Sequence, residues 1–201
     1  MNAAKIQLSP DELELVENAS WILTKNRIMG KVYALFGMIA EHMKSELTKN
    51  VPLDASMQTT PKISKGENYQ GLPYVILDYP RLFSKEDVFA IRTMFWWANY
   101  FSVTLHLKGS YKEMFIGKIG KNISGTPVND FYISISGDEW MHELDEKNYI
   151  QLSQTNSATL ENIFSGNSFL KISTKIELNK WNDSEVLLMD SYKKLLRLLD
   201  H

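Results

Sequence analysis

The residues of this 201-residue chain that could do chemistry are few. There are four histidines and no cysteine, which removes disulfides, thiolate nucleophiles and sulfur-ligated zinc at once. His106 is the best placed of the histidines. It ends an alternating run, 97–107, whose polar side carries Ala98, Tyr100, Ser102, Thr104 and His106. Tyr132, Ser134 and Ser136 share one side of a second alternating run, 130–136. Asp78 follows Tyr74 and Ile76 on a third. If the three runs are neighbouring strands, they form an aromatic floor with hydroxyls, one imidazole and one carboxylate. That would suit a small molecule or peptide, with Trp96, Tyr100, Thr104, His106, Tyr132 and Ser134 as binding residues. His106 and Asp78 could then act as a base and its orienter. The competing account is the solvated face of a half-buried sheet, the ordinary product of such alternation, and it is the favoured one.

Three other segments carry chemistry-bearing residues at the wrong spacing. Between Asp130 and Lys147 there are six acids and one base, centred on GDEWMHELDE at 137–146. Asp138, Glu139, His142 and Glu143 are metal-ligand types, but the run fits no calcium loop and lacks the second histidine of a zinc-protease helix. It reads as an acidic segment facing solvent. Lys108, Lys112, Lys118 and Lys121 outweigh Glu113 around Gly109, Gly117 and Gly120, and the glycines match no phosphate-binding loop. Ser168 and Lys171 have the spacing of some acyl-serine enzymes. That motif needs a helix, and here the pattern is a strand. No metal or cofactor is expected.

Residues 69–101 hold ten of the 23 aromatic residues. Aromatic side chains dominate cores and interfaces alike. Trp96 and Trp97 are adjacent, so on a strand they point to opposite faces and cannot both enter a one-sided core. One must lie under a further element or against a partner.

The elements that would position these residues show local signals. Ser9-Pro10-Asp11-Glu12 is a capping box with proline in the first turn and Leu8 and Leu13 as a staple. Ser84-Lys85-Glu86-Asp87 and Asn182-Asp183-Ser184-Glu185 repeat that logic and predict two more helix starts. Leu15, Ala19, Ile22, Asn26, Met29, Tyr33, Phe36, Ala40, Met43 and Leu47 form a helical stripe. One rod of that length would outreach a domain of this size, so the expectation is two helices, about 10–24 and 27–48. Residues 50–62 read as a polar, mobile connector. Strands are expected at 73–79, 97–107, 130–136 and 169–178, with a weaker one at 147–152. Short helices are expected at 109–120 and 156–164. The last helix should run from 183 to about 199, with Val186, Leu187, Met189, Leu195, Leu196 and Leu199 on its apolar side. For 89–97, both the helical and the strand period fit.

The expected fold is a single α+β domain over 1–201. A mostly antiparallel sheet of four to six strands is packed on one face by N-terminal helices (about 9–49) and a C-terminal helix, the body starting near 63. The formal charge of −2 argues against nucleic acid. The absence of an apolar signal region or spanning segment argues for a soluble cytoplasmic chain without membrane contact. Lacking a catalytic motif, the chain reads as a non-enzymatic interaction, adaptor or subunit protein whose partner is another protein or a copy of itself. The alternatives are a binding module using the polar sheet face, or an enzyme with a dispersed His/Asp site.

Overall fold

The computed structural model describes residues 6–50, 59–126 and 129–200. Two N-terminal helices, α1 (Pro10–Glu17) and α2 (Ala19–Asn50), precede four strands: β1 (Lys62–Tyr69), β2 (Leu72–Phe83), β3 (Val88–Trp96) and β4 (Tyr100–Lys108). Helix α3 (Ser110–Asn122) leads to the short strands β5 (Phe131–Ser134) and β6 (Tyr149–Gln151). Then come α4 (Ser157–Gly166), β7 (Phe169–Glu177) and α5 (Ser184–Leu199). The strands form one sheet in the order β1-β2-β3-β4-β7-β5-β6. Every pairing in it is antiparallel. The class is the expected α+β. The sheet has seven strands rather than four to six.

Alternation builds the core. Phe89, Ile91 and Phe95 on β3, Phe101, Val103, Leu105 and Leu107 on β4, and Leu170 and Ile172 on β7 face the helices. Opposite them lie Val32, Phe36, Ile39, Met43 and Leu47 of α2 and Leu188, Tyr192, Leu195 and Leu199 of α5, all buried. Each large side chain so buried contributes roughly 1.5–3 kcal/mol. Val186, expected on the apolar side of α5, is 72% exposed, because the buried stripe is centred on Leu188 and Tyr192.

Two local expectations are corrected. The capping box at Ser9 and Glu12 is present, but the break between the N-terminal helices falls at Asn18 rather than near Asn26. The Asn18 side chain accepts from Trp21 N at 3.3 Å and from the Ser20 hydroxyl at 2.6 Å, and so starts α2. From there α2 runs unbroken for 32 residues, roughly 48 Å at 1.5 Å per residue. It does outreach the sheet. Ser84–Asp87 starts no helix. The Ser84 hydroxyl accepts from Asp87 N and Ser84 N donates to Asp87 O, which closes the β2–β3 hairpin. Phe83 and Val88, expected as a staple, are cross-strand partners. The Asp87 carboxylate accepts instead from the backbone and hydroxyl of Ser110 at the start of α3, which lowers its pKa. Residues 51–58 of the expected connector lie outside the described residues.

Candidate functional site

The face of the sheet away from the helices carries a polar row through all seven strands. Paired residue to residue, it reads Lys62, Asp78, Arg92, Thr104, Ser173, Tyr132 and Gln151. The next position along pairs His106 with Lys171. Strand β7 therefore lies between the strands of His106 and Tyr132, which are not neighbours. It contributes Lys171, Ser173 and Lys175 to the face.

The middle of this face is not solvated: Asp78, Thr104, His106, Lys171 and Ser173 are buried, while Lys62 at its margin is exposed. Segment 135–148, its acidic run 137–146 expected to face water, lies across the face. Backbone polar groups turned toward the sheet must find partners, and the polar face supplies them. His142 N donates to the Tyr69 hydroxyl at 2.7 Å, and Leu144 N to the Tyr100 hydroxyl at 2.7 Å. The Tyr100 hydroxyl donates in turn to His142 O at 3.3 Å. The Tyr149 hydroxyl donates to Met141 O at 3.2 Å. Lys171 Nζ donates to Glu139 O at 3.0 Å and also to Met141 O. Burial drives the Tyr69, Tyr100 and Tyr149 hydroxyls above their ordinary pKa, which keeps their protons available for these bonds.

The charged groups beneath the loop are paired or neutralised. Arg92 grips Asp78 through Nε to Oδ1 at 2.8 Å and Nη2 to Oδ2 at 3.0 Å. Its Nη1 donates to His142 Nε2 at 2.9 Å. Because arginine only donates, His142 is neutral with its proton on Nδ1. Burial, with Lys171 and Arg92 nearby, holds its pKa well below normal. Lys108 Nζ donates to Glu139 Oε1 at 2.8 Å. His106 Nε2 is 3.2 Å from Glu139 Oε2, but the contact is off the hydrogen-bonding axis and neither atom has another partner. Burial first, then Lys171, Arg92 and Lys108, hold His106 down to about 3. Lys171 is only 1% exposed, and burial followed by Arg92 lowers its pKa to about 7.

The expected site residues thus fall into three groups. Trp96 and Tyr100 pack edge to face at 5.6 Å, and the Trp96 indole donates to Tyr69 O at 3.2 Å. Thr104 meets Ser173 at 2.5 Å, while His106 faces Glu139, Trp140 and Phe169. Asp78 does not pair with His106. Both its oxygens are held by Arg92, and Glu139 is the acid beside the imidazole. Among the described residues, the buried Ser134 hydroxyl has no hydrogen-bond partner. Tyr132 is half-buried at the edge of a hollow of about 390 Å3 shared with Leu144, Tyr149 and Gln151. Trp97 sits in the β3–β4 turn, beside Ala98 at φ 60°, and packs T-shaped on Phe95 at 6.1 Å. Sequence reasoning missed Arg92, Lys171 and Tyr149 as members of this network. The available signal was alternation: Phe169, Lys171, Ser173 and Lys175 share one side of their strand.

A second region stands out on the N-terminal helices. Every residue from Ile6 to Thr24 is exposed. Among them Leu8, Leu13, Leu15, Val16, Trp21, Ile22 and Leu23 are at least 42% exposed. Trp21 and Ile22 continue the face of α2 that becomes core from Met29 onward, but no strand lies beneath them. At the root of this arm is a hollow of about 390 Å3 lined by Ile28, Lys31, Phe95, Trp97, Leu178 and Trp181.

Among the described residues, no helix is long and apolar enough to cross a membrane, and no group of three His, Asp or Glu is arranged to hold a metal ion. No family model, characterised protein or solved structure matches this chain.

Proposed function

We propose that this chain is a non-enzymatic interaction protein, an adaptor or subunit that docks through its N-terminal helical arm. The observation that carries this reading is the run of 19 exposed residues, 6–24, holding eight large apolar side chains beyond the edge of the sheet. An isolated eight-residue helix such as α1 is marginal in water. An apolar surface of this extent, with acids between its apolar residues, has the character of a protein-docking surface. The polar sheet face gives no comparable support to a binding module or a His/Asp enzyme. Tyr69, Tyr100, Tyr149 and Lys171 are engaged by the 135–148 loop, Thr104 by Ser173 and Asp78 by Arg92.

Photo-crosslinking in cells that express the chain tests this reading. A benzophenone side chain at Leu13, Val16 or Trp21 should give discrete protein adducts. The same group at Met38, exposed on the body of α2, should not. Arm positions that yield no more than Met38 would end the proposal.

A further inference from the structure

We infer that the occupant of the arm is the arm of a second copy of this chain, packed antiparallel about a two-fold axis. This rests on the docking role proposed above and names its partner. The first observation is charge polarity. Residues 6–24 contain Asp11, Glu12, Glu14 and Glu17 and no base, while 25–31 contain Lys25, Arg27 and Lys31 and no acid. Lys25 is engaged by Glu67 of β1, which leaves the exposed Arg27 and Lys31 at the root. A parallel pair would set like against like. An antiparallel pair sets each acidic tip against the other copy's basic root, which is the self-complementarity an isologous interface requires. Opposite Glu14 comes Arg27, opposite Leu13 comes Ile28 at the lip of the Trp97–Trp181 hollow, and Trp21 meets its own copy near the axis.

The second observation is area. Ile6, Leu8, Leu13, Leu15, Val16, Trp21, Ile22 and Leu23 are each 42–74% exposed. At roughly 150–200 Å2 per side chain they present on the order of 700 Å2 per chain. Doubled, that is a ceiling of about 1,400 Å2, set against the roughly 1,200–2,000 Å2 of a stable pairwise interface. It is a ceiling because Trp21, Ile22 and Leu23 point in three directions around the helix. A lipid surface fits less well, because the four acids at the tip would be repelled by anionic headgroups.

Charge reversal on the full chain tests the geometry, using exposed residues whose replacement leaves the core untouched. Sedimentation at about 50 μM should give twice the 23.2 kDa of one chain. Glu14→Lys with Glu17→Lys, or Arg27→Glu with Lys31→Glu, should each weaken association at least about tenfold. Mixed one to one, the two variants should re-form a dimer, since reversed tip then meets reversed root. A wild-type monomer overturns the inference, as does a dimer indifferent to both reversals, or variants that do not rescue each other. A monomer whose arm still crosslinks to a different protein in cells overturns the self-pairing and leaves the docking role standing. A monomer with no arm adduct overturns both.

Discussion

Replacing Lys171 by methionine keeps the length of the side chain and removes its proton. In the unfolded chain this amine titrates near 10.5, and in the fold at about 7. Between those values the unfolded state binds more protons, so the folded state gains stability as pH rises. The difference between the two binding curves disfavours folding by about 4 kcal/mol at pH 7 and by about 1 kcal/mol at pH 9.5. Lys171 alone should therefore add about 3 kcal/mol to wild-type stability across that interval. Methionine abolishes the term. It also leaves the Glu139 carbonyl without its donor, at roughly 1–3 kcal/mol, while the Met141 carbonyl keeps the Tyr149 hydroxyl. That loss does not change with pH, so the slope is the clean observable. Urea unfolding followed by tryptophan fluorescence at pH 7, 8, 9 and 9.5 reads it directly. The stability of K171M relative to wild type should drop by about 3 kcal/mol over the interval. Parallel curves for the two proteins would refute the reasoning, because they would mean that the amine reaches water in the fold.

Two more outcomes follow from the same network. The folded His106 titrates at about 3 against 6.5 when unfolded, so wild type loses stability as pH falls through that window. His106→Asn should reduce the loss by about 1 kcal/mol per pH unit between pH 6 and 4, measured by urea unfolding. Asp78→Ala strips a mostly buried guanidinium of its bidentate partner and should cost about 3 kcal/mol. Adding Arg92→Met should recover most of that, and a double variant no better than D78A would show that the pair is not the source of the cost.

The strands were legible where packing on one face writes a period of two. Val103, Leu105 and Leu107 against Ser102, Thr104 and His106 is such a case, and so is Ile133 between Tyr132 and Ser134. Strand β1 was not, because KISKGENY has no apolar alternation and becomes a strand only by pairing with β2. Ser84–Asp87 misled because a serine that caps a helix bonds locally in the same way as one that closes a hairpin. The covering of the polar face was hidden for a different reason. Acidity made 135–148 look solvated, whereas its backbone, satisfied by Tyr69, Tyr100, Tyr149 and Lys171, is what lies over the sheet. Those partners are 30 to 73 residues from the groups they meet, apart from Tyr149. No local pattern records such distances. The N-terminal stripe was visible from Leu15 onward, but its overhang depends on where the sheet ends.

The two margins of that sheet bear on how the chain assembles. On β1, Lys62 and Lys65 are charged and the pairing slips between Gly66 and Tyr69, while β6 has only three residues. A charged, slipped or very short outer strand is a poor template for another strand. Backbone-to-backbone addition, which can repeat without limit, is discouraged at both margins. Contact through the helical arm uses one patch per chain and is exhausted when two copies meet. The proposed pairing of arms would therefore close on itself rather than grow into a filament.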